Sequence, residues 1–311
     1  MLRQIKYALT RGFYKNIWLK LLVLTALLFV LFTMYKKVNI SNHPEGFVQN
    51  DAFVLKSGAN IYDGFYAQIY DTIHKPESRV KYELKNILKV TQASDESIFL
   101  DIGSGTGSVL NELTELGYKC CGIDNSKAMV EYSDKTYSEI VVKNGDVMDP
   151  MIFDKGVFSH ALCLYYTVYH IKDKRTFFRN CYSWMQPGGY LIVHLVDKDK
   201  FDVNVPAAKH VLFGSPQNSD QKRVTDSIVK FDDFKYKVSY SFGEQETVVT
   251  ETFTDVQTSK VRQNEQTLYM EDISVIINYA KYAGFIPHGK IDMKEWTHDK
   301  NQFLYFFERA L

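Results

Sequence analysis

Apolar positions fall into three regimes along the chain. From Leu21 to Tyr35 (LLVLTALLFVLFTMY) no charge interrupts the run, and Ile17, Trp18 and Leu19 extend it past Lys20. From Lys75 to Val196, short apolar runs alternate with stretches of helical spacing. Lys75–Val90 places Val80, Leu84, Ile87 and Leu88 on one side, and Ser108–Leu116, Ser126–Lys135 and Asp173–Met185 read as further helices, the last stopped by Pro187-Gly188-Gly189. Between them Ser97–Ile102, Tyr118–Ile123, Ile140–Lys143, Val157–Leu164 and Tyr190–Val196 read as strands. This rhythm predicts an α/β fold, a doubly wound parallel sheet with helices on both faces. Past Asp197 the pattern changes. Phe234–Phe242, Thr247–Val256 and Lys260–Met270 alternate or are rich in β-branched and aromatic residues, which predicts an antiparallel β insertion of about three strands. A helix over Asp272–Ala283 and a strand over Gln302–Glu308 close the chain.

The first regime predicts one transmembrane helix. A 20-residue helix over 16–35 would be about 30 Å long, the thickness of bilayer hydrocarbon. Lys20 can snorkel, and Trp18 and Tyr35 fall near the two interfaces. No small-x-small cleavage site follows the run. The expected organisation is a basic tail over 1–15, the transmembrane helix over 16–35, a linker over 36–56 and a folded domain over 57–311 whose β insertion covers about 199–270. The expected localisation is a single-pass membrane protein with the membrane as partner through its N-terminal helix. The side is open, because the basic tail places the domain across the membrane while four unpatterned cysteines suit a reducing compartment.

Charge and cysteine usage exclude more than they suggest. Lys plus Arg equals Asp plus Glu at 37 each, so no global field draws the chain to nucleic acid, and no nucleic-acid partner is expected. Cys120, Cys121, Cys163 and Cys181 form no C-x-x-C pair, so they read as buried thiols and no metal site is expected.

The chemistry concentrates at the carboxyl ends of the predicted strands, where open α/β sheets bind ligands. Phe99–Ser108 reads FLDIGSGTGS, a strand running into a turn with Gly103, Gly105 and Gly107 at alternate positions. A dinucleotide fingerprint wants glycine or alanine where Ser108 stands, and Asp101 would repel a pyrophosphate. An NAD-dependent oxidoreductase is therefore the less favoured reading. Asp101 suits a ligand carrying an ammonium and a sulfonium. Asp124, after the second strand, can accept two hydrogen bonds from ribose hydroxyls. Asp146 can take an adenine amino hydrogen beside an apolar contact from Val147. Adenine, ribose and a cationic amino-acid tail together describe S-adenosylmethionine (SAM).

Over 57–311 the chain resembles the class I SAM-dependent methyltransferases. The motifs are LDIGSGTG at the first strand, GIDNS after the second, NGDVMD after the third, FSHALCLYYTVYHIKD at the fourth and MQPGGYLIVHL at the fifth. The resemblance implies a Rossmann-like, seven-stranded mixed sheet whose last strand is antiparallel. More narrowly, YDGFYAQIYD (Tyr62–Asp71) is similar to the aromatic segment lying over the cofactor in sugar amine methyltransferases, which implies that role for Tyr66 and Tyr70, and the β insertion resembles their substrate lid. No N/D-P-P-Y motif is present; Leu164-Tyr165-Tyr166-Thr167 stands in its place. His170 is either a general base near the transferred methyl or a hydrogen-bonding core residue, and Tyr166 with Tyr165 lines the acceptor pocket. The expected function is membrane-anchored, SAM-dependent methyl transfer to a small-molecule, sugar or lipid-linked acceptor. The alternative is an inactive methyltransferase fold kept as a membrane scaffold.

Overall fold

The computed structural model describes residues 17–40, 49–203, 205–206 and 225–310. The expected basic tail, much of the expected linker and residues 207–224 of the β insertion lie outside the described residues. The chain divides into two compact units, Met1–Gly46 and Phe47–Leu311.

In the first unit a 24-residue helix, α1 (Ile17–Ile40), covers the apolar run. Among the described residues no helix is long and apolar enough to cross a membrane. The uncharged run Leu21–Tyr35 is closed off by Lys20 on one side and by Lys36 and Lys37 on the other. At 1.5 Å per residue it is about 22 Å long, against about 30 Å of bilayer hydrocarbon. The expectation of a transmembrane helix over 16–35 is therefore corrected, and with it the membrane partner and the single-pass localisation.

The second unit contains two sheets. The larger has seven strands: β2 (Ile98–Ile102), β3 (Lys119–Asp124), β4 (Val142–Asn144), β5 (Phe158–Cys163), β6 (Met185–Val196), β11 (Phe285–Asp292) and β12 (Gln302–Arg309), in the order β11-β12-β6-β5-β2-β3-β4. The five from β4 to β6 run parallel, while β12 is antiparallel to β6 and β11 to β12. Phe99, Leu100, Ala161, Leu162, Leu191, Ile192 and Val193 are fully buried, as a parallel sheet covered on both faces requires. The covering helices include α3 (Pro76–Thr91), α4 (Ser108–Glu115), α5 (Lys127–Thr136), α7 (Lys174–Trp184) and α8 (Ile273–Tyr282). Ser126 and Asp173 start α5 and α7 by accepting from the backbone N–H of Met129 and Thr176 at 3.1 Å each.

The smaller sheet has five strands, two more than the pattern predicts: β7 (Asp226–Lys230), β8 (Phe234–Phe242), β9 (Glu246–Asp255) and β10 (Val261–Tyr269) form an antiparallel meander, and β1 (Phe53–Ser57) adds parallel to β10. β1 falls in the expected linker. Its five residues gain strand structure from the exposed edge of β10, a partner lying about 200 residues away. β11 is missed because its inward-facing residues are few: Phe285 alone is buried, and Pro287 and Gly289 interrupt it beside a register shift. Between the sheets runs α2 (Gly64–His74), started by Asp63, which accepts from Tyr66 N–H at 3.2 Å.

Candidate active site

The glycine turn leaves the end of β2 and enters α4. Gly103 has φ +69°, and a Cβ built on it would lie 2.6 Å from Thr167 Cγ2. That close approach welds the turn to the segment following β5, so the two loops form one floor. Gly105 faces open space and Gly107, at the N-cap of α4, makes room for Ile140 and Ser133. Gly107 thus serves internal packing, where the sequence suggested backbone approach to a ligand.

Asp101 is 3% exposed, and its Oδ2 has no hydrogen-bond partner. Burial pushes its carboxyl up to about 7, against the pull of the Arg79 guanidinium. A buried carboxylate oxygen without a donor beside a glycine turn matches the demand of a ligand ammonium. Asp124 is held by two backbone donors, Gly105 N–H to Oδ2 and Ser126 N–H to Oδ1, both at 2.8 Å. Each oxygen keeps a lone pair for a hydroxyl. Burial raises its carboxyl and these two bonds lower it. Asp146 is exposed and caps its own turn, accepting from Met148 N–H at 2.9 Å, beside half-buried Val147. These positions fit SAM: a partnerless carboxylate for its ammonium, Asp124 for ribose, and a turn whose middle glycine opens to space.

Next to this floor lies a cavity of about 720 Å³, its open mouth included. Tyr62, Tyr66, Tyr70 and His74 contribute from α2 and the residues before it. They stand four residues apart, one stripe on a helical surface. α2 is tied to the turn by Thr106 Oγ1, which donates to Asp71 Oδ1 at 2.7 Å, and the residues before α2 are tied to the segment after β3 by Ser126 Oγ, which donates to the Tyr62 carbonyl at 2.6 Å. Tyr165 and Tyr166 enter from the end of β5 with φ of +45° and +67°. Two successive non-glycine residues in the left-handed region store strain, a feature that clusters at functional sites. Tyr165 OH and His74 Nδ1 are hydrogen-bonded at 3.0 Å, and Tyr166 OH donates to Gln302 Oε1 at 3.2 Å. His170 ends the short helix α6 (Thr167–His170), open to the cavity, its ring edge-on to Tyr62 with centroids 6.1 Å apart. Its side chain keeps an exposed face, and desolvation on the cavity side together with the Lys174 charge pulls its imidazole down to about 4. The smaller sheet closes the cavity with Tyr236, Val238 and Tyr240 of β8, Val249 and Glu251 of β9, and Gln266 and Leu268 of β10.

The sequence-expected residues therefore divide into two groups. Asp101, Gly103, Gly105 and Asp124 gather at the turn; Tyr66, Tyr166 and His170 line the cavity, and Tyr66 turns its hydroxyl to the smaller sheet, donating to Glu251 Oε1 at 2.9 Å. Glu251, His74, Tyr236 and Arg79 were missed. Glu251 was findable: in TVVTETF it shares an inward row with Val249 and Phe253, where a carboxylate is out of place. Among the described residues no group of His, Cys, Asp or Glu is arranged to hold a metal ion.

Comparison with known proteins bears on the fold and the kind of domain. Residues 100–193 match the family model described as "Methyltransferase domain". A dTDP-4-amino-2,3,4,6-tetradeoxy-D-glucose N,N-dimethyltransferase of Saccharopolyspora spinosa is 28% identical over 151 residues, 46% of this chain and 59% of that protein. A ubiquinone biosynthesis O-methyltransferase of Rhodopseudomonas palustris is 27% identical over 128 residues, 39% of this chain and 49% of that protein. The chain thus spans about half the length of the curated relatives it matches. Among solved structures, the CcbJ methyltransferase of Streptomyces caelestis superposes with a TM-score of 0.62 at 16% identity, covering 81% of this chain and 99% of that one, which shows a shared fold. Residues 100–193 therefore match a methyltransferase domain, the fold is shared with a solved methyltransferase, and SAM is the cofactor these similarities support.

Proposed function

We propose that this chain transfers a methyl group from SAM to a small-molecule acceptor whose reacting atom enters the tyrosine-lined cavity. The observation that carries the proposal is the close approach of Gly103 to Thr167, the residue next to the cavity-lining Tyr165 and Tyr166. When bound, SAM supplies a methyl group on a sulfonium, which leaves as a neutral thioether. Asp101 would hold the ammonium and Asp124 the ribose hydroxyls, with Asp146 and Val147 at the adenine. Tyr66 belongs to the acceptor wall in this reading, because its hydroxyl is committed to Glu251.

Positioning within the cavity supplies much of the rate. Tyr166, fixed through Gln302, orients the acceptor. His170 is neutral at pH 7, since its imidazole is lowered to about 4, and as a weak base it accepts a hydrogen bond from the acceptor and can take its proton only once methyl transfer has made the acceptor atom cationic. Sugars and lipid-linked molecules fall within the acceptor class. Calorimetric titration of the full chain with SAM, with NADH as rival ligand, tests the cofactor half. Saturable SAM binding that Asp124→Ala weakens at least tenfold supports the proposal, and NADH binding in its place defeats it. For the chemistry, His170→Gln is expected to lower kcat by about a hundredfold with the SAM affinity unchanged. SAM binding without methyl transfer to any small-molecule extract would favour the inactive scaffold.

A further inference from the structure

The wall of the cavity carries more chemistry than a generic acceptor needs. Glu251 is 7% exposed and stands on β9 between Val238 of β8 and Asn264 of β10. Three donors point at it: Tyr66 OH and Tyr236 OH reach Oε1 at 2.9 and 2.7 Å, and Asn264 Nδ2 reaches Oε2 at 3.2 Å. Asn264 Nδ2 can only donate and both phenols are placed to donate, an arrangement that an ionised carboxylate accepts in full, and Oε2 keeps a free lone pair. Burial raises this carboxyl above its ordinary value even though the same three donors and the Arg262 charge pull it back, so a bound cation is what would favour its ionised form.

Among the described residues no cationic side chain is hydrogen-bonded to Glu251. Arg262 is committed elsewhere, with Nη1 on both oxygens of Asp63 at 2.9 Å, Nη2 on the Ile61 carbonyl at 2.9 Å and Nε on Asn264 Oδ1 at 2.9 Å. Among the described residues no lysine or arginine lines the cavity, and the His74 and His170 imidazoles are lowered to about 3 and about 4, first by desolvation. Gln266 adds a buried Oε1 with no partner. The rest of the wall is largely aromatic: rings follow one another from His170 to Tyr62, Tyr66 and Tyr70 at centroid distances of 6.1, 5.5 and 5.8 Å. One uncompensated negative charge among tyrosine rings is the composition that binds organic cations, through Coulomb attraction and the negative faces of the rings.

Resting on the methyl-transfer reading above, we propose that this cavity is an organic-ammonium site in which Glu251 is the specificity-determining residue, so that the acceptor is an amine and its N-methylated cation is a ligand of the tyrosine wall. A neutral hydroxyl acceptor would leave Glu251 buried without a counter-charge. An amine carrying methyl groups has few N–H donors left to satisfy, and rings hold it better than hydrogen-bond acceptors do.

The test uses the full chain saturated with S-adenosylhomocysteine, whose sulfur is neutral, and compares choline with its neutral isostere 3,3-dimethyl-1-butanol by calorimetry. Choline is expected to bind at least tenfold more tightly. In Glu251→Gln, which keeps the shape and most of the hydrogen bonds, that preference is expected to fall within about twofold. Tyr240→Leu, which alters a lining ring not bonded to Glu251, is expected to weaken choline severalfold while Tyr240→Phe retains it. Equal binding of the two probes by wild type, no choline binding, or an undiminished preference in a folded Glu251→Gln chain overturns the proposal. Thermal melting reports folding of each variant. Absence of S-adenosylhomocysteine binding to folded wild type instead defeats the methyl-transfer reading, and the choline comparison is then read without it.

Discussion

At Gly103 two constraints coincide, a φ of +69° and a side-chain neighbour 2.6 Å from where a Cβ would stand. Gly103→Ala is expected to cost about 1–3 kcal/mol of stability, measured by urea unfolding. Adding Thr167→Ser, which removes the clashing methyl, should recover the steric part and leave the backbone part. Asp101 makes a prediction of opposite character. Its carboxyl is raised to about 7 by burial, so the folded chain keeps a proton that the unfolded chain has lost. The contribution of Asp101 to stability is therefore greatest below about pH 4 and is lost as pH rises toward 7. A bound ammonium favours the ionised carboxylate, so SAM binding at pH 6 should release a proton. Calorimetry in buffers of different ionisation enthalpy reads that proton, and Asp101→Asn should abolish the release.

Helix α3 shows how an element can be specified by polar burial. Arg79 and Glu83 are 4% and 0% exposed and ion-paired at 2.8 Å one turn apart, with the guanidinium 4.2 Å above the Tyr165 ring. Arg79→Leu leaves Glu83 buried and unpaired, and a loss of about 3–5 kcal/mol is expected, whereas the double variant Arg79→Leu, Glu83→Leu should recover much of it. Periodicity found the apolar side of this helix, through Val80, Leu84 and Ile87. It did not find the ion pair, because a charged pair four residues apart reads in sequence as a solvated face. The same blindness to distant partners hid β1. Its burial alternates only between exposed and half-buried, so the strand exists through pairing with β10. A chain beginning at residue 58 should therefore lose much of its choline binding and melt earlier than one beginning at residue 47, with SAM binding retained.

Across the second unit, α2 is bonded both to the glycine turn, through Asp71 and Thr106, and to the smaller sheet, through Tyr66 and Glu251. Burial there holds several imidazoles neutral. His74 and His194 are lowered to about 3, and His160 and His170 to about 4, by desolvation first. Each is protonated in the unfolded chain below its ordinary value near 6.5 and stays neutral in the folded one. Their contribution to stability is present above pH 6.5 and lost as pH falls toward 4. His160→Gln with His194→Gln should flatten the rise of unfolding free energy between pH 4 and 6 by about 2.7 kcal/mol per pH unit relative to wild type. An unchanged slope would mean that these rings are not held neutral.

Sequence alone determined what local chemistry encodes. The alternation of buried strands and amphipathic helices fixed the parallel core from Ile98 to Val196, because strands covered on both faces must be apolar and their helices half so. The run DIGSGTG read as a ligand turn, and the structure divides its glycines: Gly103 and Gly107 make room for Thr167, Ile140 and Ser133, and Gly105 alone of the three opens to space. Sequence also over-read Leu21–Tyr35, where apolar composition suggested a span that the length between Lys20 and Lys36 does not supply. Only the tertiary structure decided the rest. Glu251, Tyr66, Tyr236 and Asn264 lie on four different elements, and β1 and β10 meet across about 200 residues. Their meeting follows from closure of the smaller sheet over α2, a long-range packing event that leaves no periodic trace in the chain. The electrostatics of the cavity follow from the same event, because a glutamate becomes an ammonium site only when neighbours remove its water and leave its charge uncancelled.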